Sequence, residues 1–168
     1  MSDLLDLNLL RFQGPKLVER KGVGINSKDV GGQSSLSIAS HNGHEAVVKL
    51  LLGRNDVAAD SKDALGQTPL SKAAEGGHGA VVKLLLERID VAAKTKDVQG
   101  QTPLSKAAEA GHEAVMKLLL TQDDVVADSR DKGGQTPLSY AAASGLDKPK
   151  HPKPAMFAAD TSLDTVSN

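Results

Sequence analysis

Residues 66–86 read GQTPLSKAAEGGHGAVVKLLL, and residues 100–120 read GQTPLSKAAEAGHEAVMKLLL. The second stretch begins 34 residues after the first, and the register extends in both directions. Gly32, Gly66, Gly100 and Gly134 fall in one column, Gln33, Gln67, Gln101 and Gln135 in the next. Leu36, Leu70, Leu104 and Leu138 form a third. His44, His78 and His112 align, each after a glycine, whereas the fourth copy has Leu146 after Gly145. Self-similarity at a fixed period of roughly 20–50 residues marks an architecture in which one small unit stacks on the next.

Each unit has readable local physics. Thr68 followed by Pro69 suits an N-cap with proline at the first helical position, where a missing N–H costs nothing. Leu70, Ala73 and Ala74 then supply an i, i+3, i+4 stripe whose small residues allow close helix approach. Gly76-Gly77 ends that short helix, and a second helix follows over about residues 79–87. Val81, Val82, Leu84, Leu85 and Leu86 leave Lys83 as its main polar interruption. A helix so apolar needs cover on more than one side, which one unit alone does not provide. The remaining RIDVAAKTKDVQGQ, residues 88–101, reads as an extended arm anchored by Val91 and closed by a turn. Helix, turn, helix and arm, repeated, make an all-α solenoid of stacked hairpins.

The totals agree. Hydrophobic residues are 39% of the 168 and charged residues 24%, as in a folded water-soluble chain. Aromatic residues are only 2%, so the core is built from Leu, Val and Ala in thin helical layers. A net charge of −1, with Phe12, Tyr140 and Phe157 as the only aromatics, argues against nucleic-acid or membrane-surface binding. The absence of cysteine excludes thiolate catalysis, disulfides and Cys-based zinc sites. The opening MSDLLDLNLLRF carries Asp3 and Asp6 instead of a basic n-region, and no stretch approaches the length of a membrane span. A cytoplasmic, monomeric protein is expected, with the nucleus also open to it.

TPLSKAAEGGHGAVVKLLL resembles the ankyrin repeat, whose motif begins T-P-L-H-x-A with a period of about 33 residues. The likeness covers residues 16–146, with full units at about 32–65, 66–99 and 100–133 and partial units at both ends. Residues 1–15 are left as an N-terminal cap or remnant, with Leu5, Leu9 and Phe12 at helical spacing. Residues 147–168 form a Pro- and Lys-containing tail. Its P-x-x-P spacing could dock an SH3-like groove, but a solvated tail is the simpler reading, and Met156 with Phe157 could fold back over the last helix pair. Three features depart from the family pattern. Ser37, Ser71, Ser105 and Ser139 replace its histidine, and Ser34-Ser35 replace Thr-Pro, which weakens the first helix start. The period is one residue longer, with the extra residue expected near Asn55, Ile89 and Asp123. GHEAVVKLLL combined with that serine is similar to ankyrin arrays in large fungal NACHT-type receptors.

The resemblance implies a non-catalytic module that binds a partner protein through first helices and turn tips. No metal, cofactor or catalytic set is expected. The histidines stand a whole unit apart without ligand spacing, and read as satisfying backbone groups at the inter-helix turn. No nucleophile elbow, phosphate loop or dinucleotide fingerprint occurs. Columns that drift between units are the surface candidates. The partner-binding set is Leu65, Gln67, Lys72, Glu75, Val98, Gln99, Gln101, Lys106, Glu109, Lys132 and Tyr140. Within it, Lys72 with Glu75 and Lys106 with Glu109 are expected as a mixed-charge stripe ending at Tyr140, so that Lys106→Glu would weaken binding without lowering the melting midpoint. The alternatives are a sensor array belonging to a larger receptor, and a passive spacer.

Overall fold

A computed structural model describes residues 24–145, so the suggested cap at 1–15, the opening of the first partial unit and the tail at 147–168 lie outside the described residues. Within them the chain forms seven helices: α1 Ser35–His41, α2 Glu45–Leu52, α3 Pro69–Gly76, α4 Gly79–Leu86, α5 Pro103–Glu109, α6 Glu113–Leu119 and α7 Pro137–Ser144. Odd-numbered helices are the first of each unit and even-numbered ones the second. The extended arms pair only at an isolated bridge between Lys28 and Ser34 among the described residues.

First helices start as the T-P pair requires. Thr68, Thr102 and Thr136 sit in extended backbone and accept from the N–H of Ser71, Ser105 and Ser139, with proline just inside each helix. Ser34 caps α1 in the same way, accepting from Ser37 N at 3.2 Å, so the first start keeps its geometry without the proline. The serine that replaces the family histidine also has a structural use. Ser71 Oγ lies 3.2 Å from Thr68 Oγ1 and Ser105 Oγ 3.1 Å from Thr102 Oγ1, closing a buried hydroxyl pair at each helix start. In the first unit the Ser37 hydroxyl is buried without a hydrogen bond.

Packing follows the columns. First helices stack α1–α3–α5–α7, second helices stack α2–α4–α6, and α1, α3 and α5 each pack on their own second helix. Ala39, Ala73 and Ala107 sit fully buried where first helices approach, as do Ser40, Ala74 and Ala108. Small side chains permit that approach, and the leucines fill the layer behind. Leu36, Leu70 and Leu104 are buried, as are Leu51, Leu85 and Leu119 with Val48, Val81, Val82 and Val115. Burying each such leucine stabilises the stack by about 1.5–3 kcal/mol relative to leaving it exposed. The arm is held more firmly than Val91 alone would hold it. Val57, Ala59 and Ala93 are buried in the same core, with Val91 packed against it.

Asn55, Ile89 and Asp123, where the longer period was expected to be absorbed, are exposed. Two arginines close the turn there. Arg54 forms a bidentate pair with Asp56 (2.8 and 2.7 Å), and Arg88 with Asp90 (2.9 and 3.0 Å). Arg88 also donates to the Leu52 carbonyl of the preceding unit at 3.1 Å.

Candidate partner-binding surface

The turn tips are built around one aspartate per unit. Asp29, Asp63, Asp97 and Asp131 each accept two backbone N–H groups on Oδ1, from the residues two and four positions ahead, at 2.8–2.9 Å. Each aspartate's carbonyl takes a third N–H, from Gly32, Gly66, Gly100 and Gly134. These glycines have positive φ, and at Gly66 a side chain would also meet Val98 N of the next tip at 3.1 Å. Tips then bond directly to one another. Ala64 N donates to Gly31 O, Val98 N to Leu65 O and Lys132 N to Gln99 O, all at 2.9 Å.

The second carboxylate oxygen of Asp63, Asp97 and Asp131 is used by the first helix, whereas Asp29 faces the Ile38 column position. Here the lysines depart from the sequence expectation. Lys72 Nζ lies 3.3 Å from Asp63 Oδ2 and Lys106 Nζ 3.6 Å from Asp97 Oδ2. Their side chains are only 11% and 12% exposed, and those of the two aspartates 3%. The lysines therefore do not form the solvated stripe with Glu75 and Glu109. An oriented carboxylate, already held on its other oxygen, stands nearer than the glutamate one turn along the helix.

Tyr140 occupies the same column and the same role in the last unit. Its hydroxyl donates to Asp131 Oδ2 at 2.6 Å and accepts from Gln101 Nε2 at 2.8 Å, while that amide also donates to Glu109 Oε2 at 3.1 Å. The Tyr140 hydroxyl is raised above its ordinary pKa, first by its hydrogen bond to the Asp131 carboxylate and then by burial. Asp131 is correspondingly lowered, chiefly by the same bond, with burial opposing it and the backbone N–H donors lowering it further. Gln101 thus lies inside a network that joins the third unit to the fourth. Gln67 is buried in the equivalent place one unit earlier.

What remains outside is the row of tips. Leu65 is 55% exposed and Val98 44%, and Val30 stands fully clear of its neighbours. Gln99, Glu109 and Lys132 are exposed, and Glu75 is half-buried beside them. Of the eleven residues singled out from sequence, the structure brings Leu65, Val98, Gln99 and Lys132 into one line along the tips. It sets Gln67, Lys72, Gln101 and Lys106 behind that line, where they hold it in place. Val30 heads the row and lies outside the eleven.

A second ladder fixes the stack from the inter-helix turns. His78 donates from Nε2 to the His41 carbonyl (2.9 Å), and His112 to the Glu75 carbonyl (3.0 Å). The imidazoles satisfy backbone groups as expected, but those groups belong to the preceding unit. At Gly77, with φ at +74°, a Cβ would meet the His112 ring at 2.6 Å, so glycine is required both by its backbone and by the neighbour's histidine. A third ladder runs along the arms, where Lys28, Lys62 and Lys96 each donate from Nζ to the carbonyl 34 residues on, at 2.8, 3.4 and 2.8 Å. Among the described residues no group of three or more His, Cys, Asp or Glu could hold a metal ion.

A family model described as ankyrin repeats in three copies matches residues 15–97 and 89–150, which is most of the chain. The chain belongs to the ankyrin-repeat family. No curated protein matches it. Ankyrin repeats are generally protein–protein interaction modules, which directs attention to the surface this array leaves open. The tips and the outer ends of the first helices lie on that open surface, as does the outer side of the second helices, while the core, the hydroxyl pairs and the Lys72–Asp63 and Lys106–Asp97 ion pairs are enclosed. No helix among the described residues is long and apolar enough to cross a membrane.

Proposed function

We propose that the array is a non-catalytic recognition module that binds a partner protein along its turn-tip row. Leu65, Val98, Gln99 and Lys132 make the contact, with Glu75, Glu109 and the rim of Tyr140 at the side, and the module works as a monomer. The observation that carries this reading is a line of exposed apolar side chains mounted on hydrogen-bonded turn tips. Val30, Leu65 and Val98 project from tips that are tied to their own aspartates and to each other. Such a surface is ordered before binding, so association loses little conformational entropy. Gln67, Lys72, Gln101 and Lys106 contribute indirectly by holding the tips, not by touching the partner.

The test is affinity capture from extracts of the source cells, with the full chain and with a Leu65→Asp/Val98→Asp variant as baits. Both side chains are exposed, so the variant keeps its melting midpoint. Proteins bound by the unaltered chain and lost by the variant support the reading. An identical captured set from both baits contradicts it.

A further inference from the structure

The array has an apolar wound at its last unit. Leu36, Leu70 and Leu104 are 1%, 0% and 2% exposed, yet Leu138, next in the same column, is 76% exposed. The same break occurs elsewhere. Leu120 is exposed where its counterparts Leu52 and Leu86 are half-buried, and Ala142 is exposed where Ala74 and Ala108 are fully buried. Between α6 and α7 this leaves a cleft of about 390 Å³ lined chiefly by Leu104, Met116, Leu120, Ala127, Pro137 and Leu138, with Asp128 and Thr136 also on its wall. In the preceding units the apolar faces are closed by the second helix that follows.

The sequence does not repeat that helix's apolar pattern in register. Positions 34 residues after Val115, Leu118, Leu119 and Leu120 are Pro149, Pro152, Lys153 and Pro154, which do not sustain an apolar helix. Five residues without a charge follow directly: Ala155, Met156, Phe157, Ala158 and Ala159. We infer that this AMFAA segment of the same chain occupies the cleft, with Met156 and Phe157 seated against Leu120 and Leu138 where a following second helix packs in the earlier units. The tether fits. Residues 146–154 span up to about 28 Å if extended at about 3.1 Å each. The return from Gly145 to Leu138 covers about one short helix, roughly 12 Å. Stacked repeats need a terminal cover for their apolar ends, and the tail supplies it as an added segment instead of a fifth repeat.

The inference is tested in the full chain by NMR. With two phenylalanines and one tyrosine in the sequence, the Phe157 ring signals are identified by their loss in Phe157→Leu. The expected result is NOEs from that ring to the methyls of Leu104, Leu120 or Leu138, retained as intramolecular in a mixture of labelled and unlabelled chains. Amides of α7 should also exchange about 10- to 100-fold faster in Phe157→Asp, the range for losing one buried apolar side chain, with unchanged far-UV circular dichroism. A Phe157 ring without such NOEs, together with unaltered exchange, overturns the inference. NOEs found only between chains overturn it as well, and assign the cleft to a second copy.

Discussion

Lys106 separates an enclosed structural role from a surface one most sharply. Its ammonium faces Asp97 Oδ2 at 3.6 Å, and the Asp97 side chain is almost wholly enclosed. Breaking a buried ion pair from one side costs about 3–5 kcal/mol, because the remaining charge is left without its partner. Asp97 keeps two backbone N–H donors on Oδ1, from Gln99 and Gln101, both at 2.9 Å. Lys106→Met therefore falls at or below the low end, about 2–3 kcal/mol. Lys106→Glu sets a second carboxylate beside the first. At the separation of the present pair, repulsion adds at most about 4–5 kcal/mol with an effective dielectric near 20. Rotation of the glutamate toward water reduces this, so a total of about 4 kcal/mol is expected. For a chain of this size each kcal/mol lowers the melting midpoint by about 2–4 °C. The methionine variant should thus lose about 4–12 °C and the glutamate variant about 8–16 °C, followed by far-UV circular dichroism. Lys83→Glu, on the exposed side of α4, is the control and should stay within about 0.5 kcal/mol of the parent. If Lys106→Glu melts like Lys83→Glu, the enclosed ion pair does not hold the tip.

Tyr140 is the only tyrosine, so its phenolate absorbance reports one group. Its titration midpoint should lie above the ordinary tyrosine value and move back toward it in Asp131→Asn, since the carboxylate both accepts its hydrogen bond and opposes its ionisation. A raised folded-state pKa makes this contribution present at neutral pH and lost as pH rises through the shifted value. Asp131 is lowered, so its contribution is present above the ordinary aspartate range and is lost as pH falls through the depressed value. Restoring the family's helix start with Ser34→Thr/Ser35→Pro should add about 0.4–1 kcal/mol, because Ser34 already has the extended backbone that proline demands of its predecessor. Hydrogen exchange across α1 should slow, and faster exchange would show that proline does not fit there. Leu85→Ala and Leu119→Ala each empty a fully buried site and should cost about 2–5 kcal/mol in urea unfolding. A loss below about 1 kcal/mol at either site would mean that the second-helix layer is not tightly packed.

The fold was legible because its instructions are local and repeated. Thr68-Pro69 states a helix start within two residues, and the alanine and leucine columns state which faces meet. The arm was read less fully, since Ala59 and Ala93 look like filler beside Val57 and Val91 yet are buried, Ala93 more deeply than Val91 itself. The surface was read least well. Lys72 and Glu75 suggest a pair because helical geometry brings residues three apart together. The actual partner, Asp63, is nine residues back and reaches the lysine only because the tip folds around its other oxygen. A signal for this was present, since an aspartate precedes Ile38, Lys72, Lys106 and Tyr140 at that same interval in every unit. Gln67 and Gln101 misled for a similar reason. A polar side chain beside a turn reads as solvated, whereas stacking the next unit encloses it. The histidine column was understood as backbone-satisfying, but periodicity alone did not reveal that each ring reaches into the unit before it.

Amide hydrogen exchange of the array, free and saturated with a captured partner, addresses the recognition surface directly. Protection should concentrate at the tips, over residues 64–66, 98–100 and 132–134, with little change on the outer side of the second helices around Ala80, Lys83 and Lys117. Protection centred on those second-helix residues, with the tips unaffected, would contradict the assignment of the turn-tip row as the partner surface.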